Sequence, residues 1–144
     1  MLSDNAFFSG VEAASLGRVL RAFQVVTLPE NAPLYRRDRV VRQVFLIVSG
    51  SVAVEQRIGG TSTTLALLGP GEFTGERALL QPDARHPWSA VCREETRVAI
   101  ADADELLAAL IALPALAINV ARALHRRIVD ATHAIDALFA PLSS

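Results

Sequence analysis

The residues with the most chemical content lie in one stretch, Leu68-Gly69-Pro70-Gly71-Glu72-Phe73-Thr74-Gly75-Glu76-Arg77-Ala78-Leu79-Leu80. Its glycines punctuate a turn that leaves a strand and enters a short apolar helix, with Glu76 at the bend. Backbone N–H groups at a helix start point outward without intrahelical partners, so they can cradle a phosphate. Glu76 is an acceptor for a sugar hydroxyl. Together these are the outline of a phosphate-and-ribose pocket. The segment that follows, Arg85-His86-Pro87-Trp88, supplies a cation, an imidazole and an indole near the same turn.

Other chemistry finds little support in the chain. A cupin-type metal site needs histidines and a glutamate on neighbouring strands. The histidines here are His86, in a loop, and His125 and His133, eight positions apart on a helix and too distant to chelate one ion. No nucleophile–base pair is readable, so the expectation is a domain that binds rather than catalyses. Cys92 is the single cysteine, which excludes an internal disulfide and fits a reducing cytoplasm.

Positioning such a pocket takes one domain, and 144 residues suffice to bury a core without disulfides or metals. Apolar residues make up 51% of the chain, yet no run of about 18 uninterrupted apolar residues occurs, so no membrane span is expected. No signal peptide is apparent at Met1-Leu2-Ser3-Asp4-Asn5. All 14 basic residues are arginine and the formal charge is −1, which gives no global electrostatic case for nucleic-acid binding. Arg36, Arg37, Arg39 and Arg42 read as a solvated turn face, with a docking patch for an acidic partner as the lesser alternative.

Ser9-Gly10-Val11-Glu12 reads as a capping box that opens a helix to about Ala22. From Phe23 the period changes to that of strands: Phe23–Leu28, Leu34–Tyr35, Gln43–Ser49, Ser51–Arg57, Thr61–Leu68, Trp88–Arg93 and Arg97–Ala101, separated by turn signals. Gly59-Gly60 is a strong hairpin signal. Several short strands at this spacing predict an antiparallel barrel or jelly roll. Asp102 caps a second helix to about Leu113, and Pro114 starts a last helix running to about Phe139. Along it Ala117, Ala121, Leu124, Ile128, Ala131, Ile135 and Leu138 form an a/d seam of about three heptads. One small barrel cannot bury all of that stripe, so a parallel homodimer through residues 114–139 is expected. The fold class is α+β, with residues 1–22 as N-terminal helix, 23–101 as barrel with the turn-and-helix segment at 71–90, and 102–139 as C-terminal helices.

A helix, a jelly-roll barrel, a short helix and a long heptad helix, in that order, resemble a cyclic nucleotide-binding domain. Phe45-Leu46-Ile47-Val48-Ser49-Gly50-Ser51-Val52 looks like the family's core strand and turn. Leu68 to Glu76, followed by Ala78-Leu79-Leu80, resembles its phosphate-binding cassette. Leu106 to Ile128 resembles the helices that follow, and the likeness is to the catabolite activator/fumarate–nitrate regulator branch. The resemblance implies that Gly75 lets the backbone approach the ligand and that N–H groups of the Gly75, Glu76, Arg77, Ala78 turn donate to the cyclic phosphate. It implies that Glu76 accepts from the ribose 2′-OH, that an arginine downstream pairs with the phosphate, and that Thr132 of the long helix lies near the base. The ligand implied is a cyclic nucleotide, cAMP before cGMP, with an unidentified protein partner downstream. Since the chain ends at Ser144, before the branch's winged helix-turn-helix, direct DNA contact is not expected.

The cassette departs from the family at its end. His86 falls on the arginine position, Pro87 on a hydroxyl and Trp88 on a small residue, while Arg85 is one residue early. Replacing a charge-assisted pair by a mostly neutral imidazole costs about 1.5–3 kcal/mol, roughly ten- to a hundredfold in affinity. The alternative to a cyclic-nucleotide sensor is therefore the same fold serving as a dimeric interaction module or holding another ligand. Upstream, Asn31 stands where the family tends to have glycine, and Asn tolerates the left-handed region.

Overall fold

The computed structural model describes residues 8, 10, 17, 19–81 and 83–139, with the side chains of 80, 116, 120, 127, 128, 130–132 and 134–139 outside that description. The described residues form eight strands: β1 (Phe23–Leu28), β2 (Pro33–Tyr35), β3 (Gln43–Ser49), β4 (Val52–Ile58), β5 (Thr61–Leu68), β6 (Phe73–Thr74), β7 (Ser89–Cys92) and β8 (Thr96–Asp102). Among the described residues, helices follow at α1 (Arg77–Leu80) between β6 and β7, α2 (Ala103–Ala112) and α3 (Pro114–Phe139). Gly17, Val19 and Leu20 are also helical, whereas the capping box at Ser9 and Glu12 lies outside the described residues.

The strands form two antiparallel four-stranded sheets, ordered β1-β8-β3-β6 and β2-β7-β4-β5. The pattern on β3 explains why both faces of the first sheet are covered. Val44, Leu46 and Phe45, Ile47 alternate sides, and all four are buried. Val44 and Leu46 pack with Phe23, Phe73, Ala99, Leu106 and Ala123 under the helices. Phe45 and Ile47 join Tyr35, Val52, Val54, Leu68, Ala90, Cys92 and Val98 between the sheets. A continuous apolar run thus becomes the wall shared by two cores.

Turn chemistry fits the residues. Gly59 and Gly60 take φ of +58° and +83°, the two left-handed positions of a two-residue hairpin loop joining β4 and β5. Asn31, expected as a substitute for glycine, sits at φ +71°. The Asp102 carboxylate caps α2, accepting from the N–H groups of Asp104 and Glu105 at 3.0 and 3.2 Å. Strand β6 escapes a sequence reading because it has only two residues, paired to Phe45 and Leu46 of β3. Among the described residues no single helix is long and apolar enough to cross a membrane.

Arg36, Arg37, Arg39 and Arg42 are all exposed, as a solvated turn requires. Two of them, Arg36 and Arg37, join Arg57 around an open groove on the second sheet's outer face.

Candidate functional site

The turn between β5 and α1 is fastened to β3 before any ligand is considered. Gly71 donates to the Ile47 carbonyl at 2.9 Å, and Ile47 donates to that of Glu72 at 2.9 Å. The Glu72 carboxylate accepts from the Gly69 N–H at 3.1 Å, closing the turn on itself. Gly75 follows at φ +87°, and a Cβ there would run into the carbonyl oxygen of Gln43. Glycine is therefore required at this position by the fold as well as by any close approach of a ligand.

Glu76 is the N-cap of α1 with φ −62° and ψ −16°, and its side chain makes no capping bond to that helix. The N–H of Ala78 donates to Gly75 O at 3.3 Å and that of Leu79 to Glu76 O at 3.0 Å. These donors are spent inside the turn. The Ala78 side chain faces a different concavity, with Val40, Arg42 and Asp102, so of the expected cassette residues it does not reach the ligand side.

A cleft of about 280 Å³ opens between α1, the inner face of β4–β5 and the segment leading into β7. Gly75, Glu76 and Arg77 form one wall segment, His86, Pro87 and Trp88 a second, and Tyr35, Thr74, Val54, Leu65, Ala66 and Leu68 complete the lining. The imidazole of His86 is 6% exposed and lies flat on the Tyr35 ring, with centroids 3.7 Å apart and planes 9° from parallel. The Tyr35 hydroxyl in turn meets Thr74 Oγ1 at 2.6 Å, a buried pair directly before Gly75. Both walls are thus joined through one tyrosine.

The electrostatics follow from this packing. Burial, and secondarily the Arg77 guanidinium, pushes the His86 imidazole down to about 4. His86 is consequently neutral at pH 7. The backbone of the same segment is tied down on both sides, with His86 N donating to Arg39 O at 2.9 Å and Asp38 N donating to His86 O at 2.9 Å.

Arg85 is not brought to the cleft. It pairs with Val40 in an isolated bridge, and its guanidinium donates to the Asp38 carbonyl at 2.6 Å. Its one-residue displacement from position 86 decides this, because neighbouring positions in extended chain face opposite sides. The structure brings Gly75, Glu76, Arg77 and His86 to one cavity. The side chain of Thr132 lies outside the described residues. Sequence reasoning missed Tyr35 and Thr74, whose only signal was a polar-tipped aromatic in an otherwise apolar strand. Among the described residues no group of His, Cys, Asp and Glu is arranged to hold a metal ion.

This geometry can hold a small polar anion with an apolar ring. Comparison with known proteins says which kind of domain carries it. Residues 25–112 match the cyclic nucleotide-binding domain. The cyclic AMP receptor protein of Thermus thermophilus is 33% identical over 138 residues, covering 95% of this chain and 63% of that protein. A CRP-like cAMP-activated global transcriptional regulator of Mycobacterium tuberculosis is 26% identical over 129 residues, covering 89% of this chain and 57% of that protein. The chain thus spans less than two thirds of either relative's length. The crystal structure of Thermus thermophilus catabolite activator protein superposes with a TM-score of 0.75 at 33% identity, covering 92% of this chain and 62% of that one. These relatives are regulators, in keeping with a binding rather than a catalytic role. On the match across residues 25–112 and this relationship over nearly its whole length, the chain belongs to the cyclic nucleotide-binding domain family, as a regulatory domain related to catabolite activator protein.

Proposed function

We propose that this domain binds a cyclic nucleotide, cAMP before cGMP, in the cleft between α1 and the His86–Trp88 segment. The observation that carries the reading is the convergence of Gly75, Glu76 and Arg77 with His86 and Trp88 on one cavity. Glu76 would accept from the ribose 2′-OH, the Gly75–Arg77 turn would face the cyclic phosphate, and the apolar wall of Val54, Leu65 and Leu68 would cover the remaining ring. Thr132 is assigned to the base, contributed from α3.

Signalling follows from a difference in ligand affinity between two arrangements of the C-terminal helices. We assign the output to α3, pairing with a second copy along residues 114–139. Ile111 and Ile118 are 77% and 50% exposed, which leaves apolar surface on α2 and α3 for a partner to cover. A cytoplasmic setting fits the buried, unpaired thiol of Cys92.

Trp88 is the sole tryptophan of the chain and lines the cleft, so its fluorescence reports directly on occupancy. Titration with cAMP is expected to give a saturable change in Trp88 emission matched by heat in calorimetry, with cGMP weaker. No heat and no emission change at millimolar nucleotide would overturn the reading.

A second reading has its own support. Gly75 is demanded by Gln43, and Arg85 is engaged by Asp38, so the cassette's shape persists without a ligand. Under that reading the domain is a dimeric interaction module, and Glu76→Ala would alter association or thermal stability with no effect on any nucleotide response.

A further inference from the structure

We infer that the counter-ion for the ligand's phosphate is the Arg77 guanidinium, delivered from α1, and that position 86 supplies a buried ring stacked on Tyr35 instead. The inference rests on the cyclic-nucleotide reading of this cleft and says which side chain would hold the anion. Arg77 lines the cavity beside Glu76, facing the wall that His86 forms. Its charge is felt at the buried His86 ring, where it disfavours a second positive charge. Among the described residues Arg77 makes no ion pair, so its charge stays available to the cleft. Arg85, next to His86 in the sequence, is committed to the Asp38 carbonyl and does not line the cavity.

The chemistry agrees with this division. A cyclic phosphodiester carries one negative charge, and one guanidinium offers a planar fork of donors for two of its oxygens. Two cations facing each other across a small cleft would repel when it is empty, and His86 avoids that by staying neutral. Stacked on Tyr35, it presents a ring nitrogen for a hydrogen bond and a flat surface for packing. Sugar and phosphate are then read by adjacent residues, Glu76 and Arg77, at the start of one short helix. The position of α1, rather than the register of β7, governs recognition of the anion.

The test is a Trp88 fluorescence titration with cAMP on the full chain and its Arg77→Gln, Arg77→Lys and Arg85→Gln variants, with thermal unfolding of each. Arg77→Gln is expected to weaken binding about ten- to a hundredfold. Arg77→Lys, which keeps the charge and loses the fork, is expected to fall between wild type and Arg77→Gln. Arg85→Gln should bind within about twofold of wild type, far less than loss of a charge-assisted bond. Wild-type affinity in Arg77→Gln overturns the proposal, as does a larger loss in Arg85→Gln. If Arg77→Gln does not fold, Arg77→Lys alone decides, and wild-type affinity in it overturns the bidentate role. A wild-type chain that binds no nucleotide ends both the cyclic-nucleotide reading and this one, which separates that failure from the others.

Discussion

The two walls of the cleft are built in different ways. The Gly69–Leu80 wall is specified by its own backbone: a self-closing turn, two bonds to β3, and a glycine held against Gln43. The His86–Trp88 wall is specified by what it packs on. His86 has its place because Tyr35 lies beneath it and because Arg39 and Asp38 tie its backbone. A wall fixed by local backbone geometry keeps its motif even when its ligand changes. A wall fixed by packing can exchange an arginine for a histidine and keep its shape while its charge is lost. That contrast explains how a recognisable cassette comes to face an uncharged partner.

The largest effect that would break this contrast is expected at Gly75→Ala. Strain at φ +87° and the collision with the Gln43 carbonyl together should cost about 2–5 kcal/mol in urea unfolding, with no ligand present. An unchanged midpoint would mean that the first wall depends on ligand and not on backbone.

Acidification probes the second wall. The native imidazole of His86 is held down to about 4 against an ordinary value of 6.5, so between those two pH values the unfolded chain takes up a proton that the native chain refuses. Its contribution is full above pH 6.5 and is lost as pH falls towards 4, on the order of 1–2 kcal/mol by pH 5. Comparing unfolding midpoints of wild type and His86→Phe at pH 7 and 5 checks this; equal slopes would show that the ring is not neutral and buried.

Tyr35→Phe sharpens the link between the walls. Losing the bond to Thr74 should cost about 1 kcal/mol in chemical unfolding, while the stack on His86 persists. The smallest effect belongs to Arg85→Ala, whose exposed bond to Asp38 O should be worth less than about 0.5 kcal/mol by the same measurement. A larger value would make Arg85 part of the wall rather than an ornament of the turn outside it.

Much of the fold was legible because the signals were local. Strand-rich runs between turn signals marked β1, β3 and β5 to the residue, Gly59-Gly60 marked the hairpin of β4 and β5, and Asp102 marked the start of α2. Strand β6 was not legible, since two residues carry no period and only β3 makes them a strand. The cassette was legible for the same reason that it is sturdy: its information lies in consecutive residues. The family resemblance implied ligand-side roles for the Gly75–Ala78 turn and a downstream arginine; Ala78 lines a different concavity and Arg85 bonds to Asp38 O.

Family, element order and the turn that carries Gly75 and Glu76 are written in local pattern, because short-range sterics and hydrophobic period fix these. Which charges share the cleft depends on contacts between distant parts of the chain. Tyr35 meets His86 and Thr74 across long stretches of chain, and Arg77 reaches the same cavity because β6, paired to β3, leads directly into α1. Burial and charge proximity are properties of that packing, so the neutrality of His86 and the availability of Arg77 emerge only when the sheets close.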